Sequence, residues 1–101
     1  MIANMDAILL FRLKQLIDGG YMKEIVVWQV PEPVPGSKHS FKYRLYFGSG
    51  GRRIIGFDNE RGKGDHKHVE GAESSYVFRS LTKLQDDFET EIERWLKDRE
   101  H

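Results

Sequence analysis

Apolar and polar residues along the chain fall into patterns of two different periods, and the switch between them predicts the elements. Ile8, Leu9, Leu13, Leu16 and Ile17 form one stripe at helical spacing, with Asn4 as the N-cap and Gly19-Gly20 as the terminator, so a first helix is expected. Lys23 to Val30 is rich in Ile, Val and Trp and predicts a strand, closed by Pro31, Pro33 and Pro35, which cannot donate to a sheet ladder. From Lys38 to Phe47 the period is two. His39, Phe41, Tyr43, Leu45 and Phe47 share one face, and Ser40, Lys42, Arg44 and Tyr46 share the other. Gly48-Ser49-Gly50-Gly51 predicts a turn and Arg52 to Phe57 the returning strand of a hairpin, while Ser74 to Phe78 supplies one more short strand. Ser80 then caps a final helix carrying Leu81, Leu84, Phe88, Ile92 and Trp95, with Glu89, Glu91, Glu93, Arg94 and Lys97 on a solvated side. The expected fold is α+β: a four-stranded, mainly antiparallel sheet with N-terminal and C-terminal helices packed on one face.

A length of 101 residues suits a single domain spanning residues 1–101, with room for one core and one site. The 12% of aromatic residues is too high for a disordered chain. Cysteine is absent, which removes disulfides, thiolate metal sites and a cysteine nucleophile and fits a reducing compartment. Apolar runs are too short to span a membrane, and residues 1–17 lack the pattern of a signal peptide, so a cytoplasmic location is expected.

The net charge is zero, but it is segregated. Residues 38–67 hold eight basic and three acidic groups, whereas residues 70–101 hold nine acidic and five basic ones. A locally basic middle can engage phosphate in a neutral protein. It can equally be the ordinary solvated side of strands.

The segment from Gly56 to His68 concentrates reactive side chains: Asp58, Asn59, Glu60, Arg61, Lys63, Asp65, His66 and His68. If residues 66–70 are extended, His66 and His68 project from the same face about 7 Å apart. One imidazole could then take a 2′-hydroxyl proton while the other protonates the leaving oxygen, with Arg44 or Lys63 stabilising the charged transition state. Asp58 or Asp65 could orient a histidine, or join the pair in a metal site. The same residues also have plain readings, as turn formers and solvated loop charges. Asp58, Glu60 and Lys63 do not have the spacing of an Asp…Glu-x-Lys nuclease, and the glycines around Lys63 do not form a P-loop. Tyr46 shares the Lys42 and Arg44 face and could stack a base. His39 lies on the apolar face, where a structural role is expected.

Lys42-Tyr43-Arg44-Leu45, the run from Gly51 through His68, Tyr76-Val77-Phe78, Leu84 and Asp87-Phe88 together resemble the TumE-type toxins of bacterial toxin–antitoxin modules. The most specific part is Asp58-Asn59-x-x-Gly62-Lys63-Gly64-Asp65-His66-x-His68, and the resemblance covers most of residues 38–95. It implies a small cytosolic toxin neutralised by a cognate antitoxin, often a DNA-binding helix-turn-helix protein. It points to Arg44, Asp58, Asn59, Lys63, Asp65, His66 and His68. The order of elements is similar to that of small ribosome-dependent endoribonuclease toxins, an analogy of fold only. The expectation is therefore a toxin that cleaves RNA without a metal or other cofactor. His66 and His68 serve as acid and base, aided by Lys63, Asp58 and Asp65, and Arg44, Lys42, Tyr46, Arg61 and Asn59 contact RNA. The partners expected are RNA and the antitoxin, with homodimerisation left open. The alternatives are a non-catalytic module that binds an antitoxin or nucleic acid, and a metal-dependent nuclease.

Overall fold

A computed structural model describes residues 6–99. Its elements in chain order are β1 (Ile8–Ile17), β2 (Tyr21–Gln29), β3 (Phe41–Ser49), β4 (Arg52–Asp58), β5 (His66–Val69), β6 (Ala72–Ser75) and α1 (Leu81–Arg99). The strands form one sheet in sequence order, every neighbour antiparallel. The α+β class and the antiparallel sheet are as expected. Among the described residues the sheet has six strands instead of four, and there is one helix instead of two.

The expected first helix is strand β1. Its register with β2 runs from Ile17↔Tyr21 to Ile8↔Gln29, with an irregularity between Leu9 and Phe11. The Gly19-Gly20 pair, read as a helix terminator, instead closes a three-residue hairpin turn with φ of 97° and 83°. Left-handed glycines serve both purposes, so the local signal is ambiguous. The ladder to β2 decides for the strand, because it satisfies backbone groups along β2 that an isolated edge would leave to water. Asn4, the expected cap, lies outside the described residues. At the far end, two strands replace the single one expected over 74–78. Val69↔Ala72 brackets a two-residue turn, Glu70-Gly71, with φ of 50° and 85°. Residues 76–80 lead into the helix without strand pairing.

Strand alternation divides the sheet into two unlike faces. Ile25, Val27, Tyr43, Leu45, Phe47, Ile55 and Phe57 point to one side and pack with Leu84, Phe88 and Ile92 of α1. Phe47, Phe57, Phe88, Leu45, Ile55 and Leu84 are fully buried, and burial of each such side chain contributes about 1.5–3 kcal/mol. Ser80 caps α1 as expected, its Oγ accepting from Lys83 N at 3.0 Å.

Glu89 and Glu91 depart from the solvated role expected for them. They reach down to the sheet and accept hydrogen bonds from Lys23 and Lys67, both at 2.8 Å. Lys67 is thereby tied to the helix side, which places its neighbours His66 and His68 on the opposite, helix-free face.

Candidate active site

Cross-strand register assembles the helix-free face into rows. One row reads Val26, Arg44, Asp58, His66, Ser75 across β2 to β6, and the next reads Glu24, Tyr46, Gly56, His68, Glu73. Directly opposed residues of an antiparallel pair share a face and lie about 5 Å apart. Residues separated by 5 to 22 positions in sequence therefore become neighbours.

His66 and His68 project together, as expected from their spacing, with ring centroids 5.0 Å apart in an edge-to-face arrangement. His66 is only 4% exposed. Its Nδ1 donates to the Gly64 carbonyl at 2.9 Å. That bond leaves Nε2 directed at Asp58 Oδ1, 2.7 Å away, and at Glu73 Oε2, 3.4 Å away. The Asp58 contact has the distance of an ion pair but not the alignment of a hydrogen bond, and Asp58 Oδ1 is buried without a donor. His66 can donate from both nitrogens at once only as the imidazolium. His68 is less enclosed, with Nε2 3.9 Å from Glu73 Oε2. Burial and the nearby Arg53 guanidinium push its pKa below the usual histidine value.

Two members of this cluster carry no sequence signal of their own. Glu73 reaches both imidazoles only because the Glu70-Gly71 turn folds β6 back on β5. Arg53 reaches His68 because position 56 is glycine. A Cβ there would lie 2.7 Å from Arg53 Cδ, so the missing side chain is what lets Arg53 lie across the row between Tyr46 and His68.

Among the phosphate-contact candidates, Lys42, Arg44 and Tyr46 lie on the helix-free face. The Arg44 guanidinium sits 5.6 Å from the Tyr46 ring centroid and 3.4 Å from Glu24 Oε1. Arg61 and Lys63 are exposed on the turn between β4 and β5, and Lys63 Nζ is 3.7 Å from Glu60.

Asp65 and Asn59 are committed elsewhere. The Asp65 carboxylate accepts from Ser37 Oγ at 2.7 Å, from His39 Nε2 at 2.6 Å and from the Tyr43 hydroxyl at 2.7 Å. Burial alone would raise this carboxyl, but the three hydrogen bonds together outweigh it and hold it below the ordinary range. The same burial and the bond to Asp65 push the Tyr43 hydroxyl far above the usual phenol value. Asn59 is 1% exposed, its Oδ1 accepting from Tyr43 N and its Nδ2 donating to Phe41 O and Ser37 Oγ. His39 stacks on Phe78 at 3.8 Å between centroids, the structural position expected for it. These groups pin the proline loop over residues 31–40 to the turn that delivers His66. Gly62 N donates to Pro35 O at 2.7 Å, and a Cβ on Gly64 would meet Gly36 O at 2.8 Å.

The arrangement defines a class: a small α+β protein with one helix behind an antiparallel sheet and a polar cluster of imidazoles, carboxylates and guanidinium groups on the uncovered face. The family model described as Toxin TumE matches residues 6–96. The chain belongs to the TumE toxin family, and membership implies a cognate antitoxin. Comparisons with curated proteins and with solved structures give no match. No helix among the described residues is long and apolar enough to cross a membrane.

Proposed function

We propose that this toxin inhibits growth in the bacterial cytoplasm by cutting RNA on the helix-free face of its sheet, by proton transfer through His66 and His68 and without a metal ion. The observation that carries the reading is the juxtaposition, in two adjacent rows, of Arg44, Asp58 and His66 with Tyr46, His68 and Glu73. His68, the more accessible imidazole with a depressed pKa, takes the proton of a ribose 2′-hydroxyl. The 2′-oxygen attacks the adjacent phosphorus, the bond to the 5′-oxygen breaks, and a 2′,3′-cyclic phosphate forms. His66, its Nδ1 bonded to the Gly64 carbonyl and its Nε2 beside the Asp58 carboxylate, returns a proton to the departing 5′-oxygen. Glu73 shields His66 Nε2 from the exposed sheet edge and has to swing aside for RNA to reach it.

Arg44 and Arg53 supply positive charge to the phosphorane-like transition state. Lys42, Lys63 and Arg61 add to the electrostatic attraction of the strand, and Tyr46 offers a stacking surface. Asp65 and Asn59 act at one remove, by fixing the turn that presents His66. The test is purified toxin on single-stranded RNA in excess chelator. New ends carrying 2′,3′-cyclic phosphate are expected, and intact RNA or 3′-hydroxyl ends would contradict the proton-transfer step.

A second reading, a module that acts by binding alone, is favoured by β1. Ile8, Leu9, Leu10, Phe11 and Leu16 on this edge strand are 43–83% exposed, an apolar surface suited to a protein partner. The antitoxin, which we take to be a helix-turn-helix protein, covers this edge in either reading. The two readings part at His68→Ala, which abolishes cleavage in the first and leaves the toxic interaction intact in the second.

A further inference from the structure

We infer that Asp58, His66, His68 and Glu73 form a binding site for one divalent transition-metal ion, and that the bound ion holds the toxin inactive. The metal site itself stands on geometry and does not depend on the ribonuclease reading; the silencing does.

Three observations converge. First, ligand atoms of Asp58, His66 and His68 all lie within 4.8 Å of one another. Glu73 Oε2 lies 3.4 Å and 3.9 Å from the two imidazole Nε2 atoms, which brings a further carboxylate within reach of both. Second, the bond from His66 Nδ1 to the Gly64 carbonyl fixes the tautomer in which Nε2 carries the lone pair of a neutral imidazole. A backbone carbonyl on the far nitrogen is the usual way in which a metal-binding histidine is oriented. Third, that lone pair faces Asp58 Oδ1 at 2.7 Å, and the oxygen is buried without any hydrogen-bond donor. Two electron-rich atoms at this separation repel unless a cation lies between or beside them. A proton on Nε2 is one such cation, and a metal ion is the other.

Ligands about 2.0–2.2 Å from a zinc ion lie roughly 3.3 Å from one another in a tetrahedral shell. The His66–Glu73 separation already matches this value. The Asp58–His66 pair, at 2.7 Å, would open by a few tenths of an ångström, and His68, held within 4.8 Å of the other two ligands, would swing inward by up to about 1.5 Å. Two imidazoles and two carboxylates suit zinc, manganese, iron or cobalt in the divalent state and are a poor match for calcium, which takes oxygen ligands. With both Nε2 lone pairs donated to the ion, neither imidazole can accept or deliver a proton. Metal-loaded toxin is therefore silent and chelated toxin active.

The experiment uses the full chain, treated with chelator and then titrated with zinc by calorimetry and with cobalt by absorption. X-ray absorption on the zinc-loaded protein counts the imidazole ligands. One ion per chain is expected, with two imidazoles in its shell. His68→Ala and Glu73→Gln alter partly exposed positions and preserve the fold, which circular dichroism checks. They are expected to weaken binding by about 100-fold and about 10-fold, the scale seen when ligands and their supports are lost. No saturable binding, or binding that His68→Ala leaves unchanged, overturns the site. Stoichiometric zinc should also reduce RNA cleavage at least 10-fold, with recovery on chelation. Cleavage that persists with zinc bound overturns the silencing. Cleavage that requires zinc also overturns it, and the metal-free reaction with it, while confirming the site.

Discussion

Replacing Asp65 by alanine would strand three donors at once: Ser37 Oγ, His39 Nε2 and the Tyr43 hydroxyl, all now within 2.6–2.7 Å of its carboxylate. A buried donor left without an acceptor costs about 1–3 kcal/mol. Ser37 Oγ still accepts from Asn59 Nδ2, but its hydroxyl proton loses its acceptor like the other two donors, and the three together are expected to cost about 4 kcal/mol. Domains of this size are stable by about 5–15 kcal/mol, so the loss is a large share of the total. In urea it should lower the midpoint by about 2 M, on a slope of about 1–3 kcal/mol per molar. Asp65→Asn is a milder change. The amide can keep its oxygen on His39 and Tyr43 and turn its nitrogen to the Ser37 oxygen, so the charge and the acceptor of the Ser37 hydroxyl are lost, at about 1–2 kcal/mol.

The difference between wild type and alanine variant should also depend on pH. The folded carboxyl has its pKa depressed. Its contribution is therefore complete above the unfolded value of about 3.9 and fades as pH falls through the lower folded value. Urea unfolding followed by tryptophan fluorescence at pH 7 and at acid pH measures both effects. A loss under 1 kcal/mol for Asp65→Ala at pH 7 would refute the structural role. So would an Asp65→Asn protein of full stability that no longer cuts RNA.

Three further outcomes follow from the same structure. Gly62 and Gly64 both have positive φ, but a Cβ on Gly62 meets nothing within 4 Å whereas one on Gly64 meets Gly36 O at 2.8 Å. Gly62→Ala should cost about 1–2 kcal/mol of backbone strain and Gly64→Ala clearly more, about 3 kcal/mol or above, read from thermal or urea unfolding. Arg44→Ala should weaken RNA binding at low salt several-fold and flatten its salt dependence by about one counterion, with no change in unfolding midpoint. Ser80→Ala should lower stability by about 1 kcal/mol through loss of the cap on Lys83 N, without affecting RNA cleavage.

What the sequence made legible was local. The alternation from Phe41 to Phe47 predicted both faces of β3, and the two-residue spacing of His66 and His68 placed them side by side before any fold was known. The helical stripe of Leu81, Leu84, Phe88, Ile92 and Trp95 needed only its own periodicity. Residues 8–17 misled because their apolar spacing fits a helix while Gly19-Gly20 ends either a helix or a hairpin, and the decision rests with hydrogen bonds to β2. Glu73 and Arg53 join the site through register and through the missing side chain at Gly56, which no local pattern reveals. Asp65 and Asn59 sit in the most reactive stretch of the sequence, yet the loop over residues 31–40 folds back and claims both. Their partners Ser37, His39, Phe41 and Tyr43 lie 16–28 positions away.

The central claim, that a toxin's chemistry resides in the His66–His68 pair, is tested most directly by inducing wild type and the His66→Ala/His68→Ala double variant in bacteria. Growth and the 5′ ends of total RNA are followed at matched levels of folded protein. Arrest with new RNA ends in the wild type and neither in the variant is the result expected. Arrest of equal depth by both proteins, or arrest by the wild type with no new RNA ends, would contradict it.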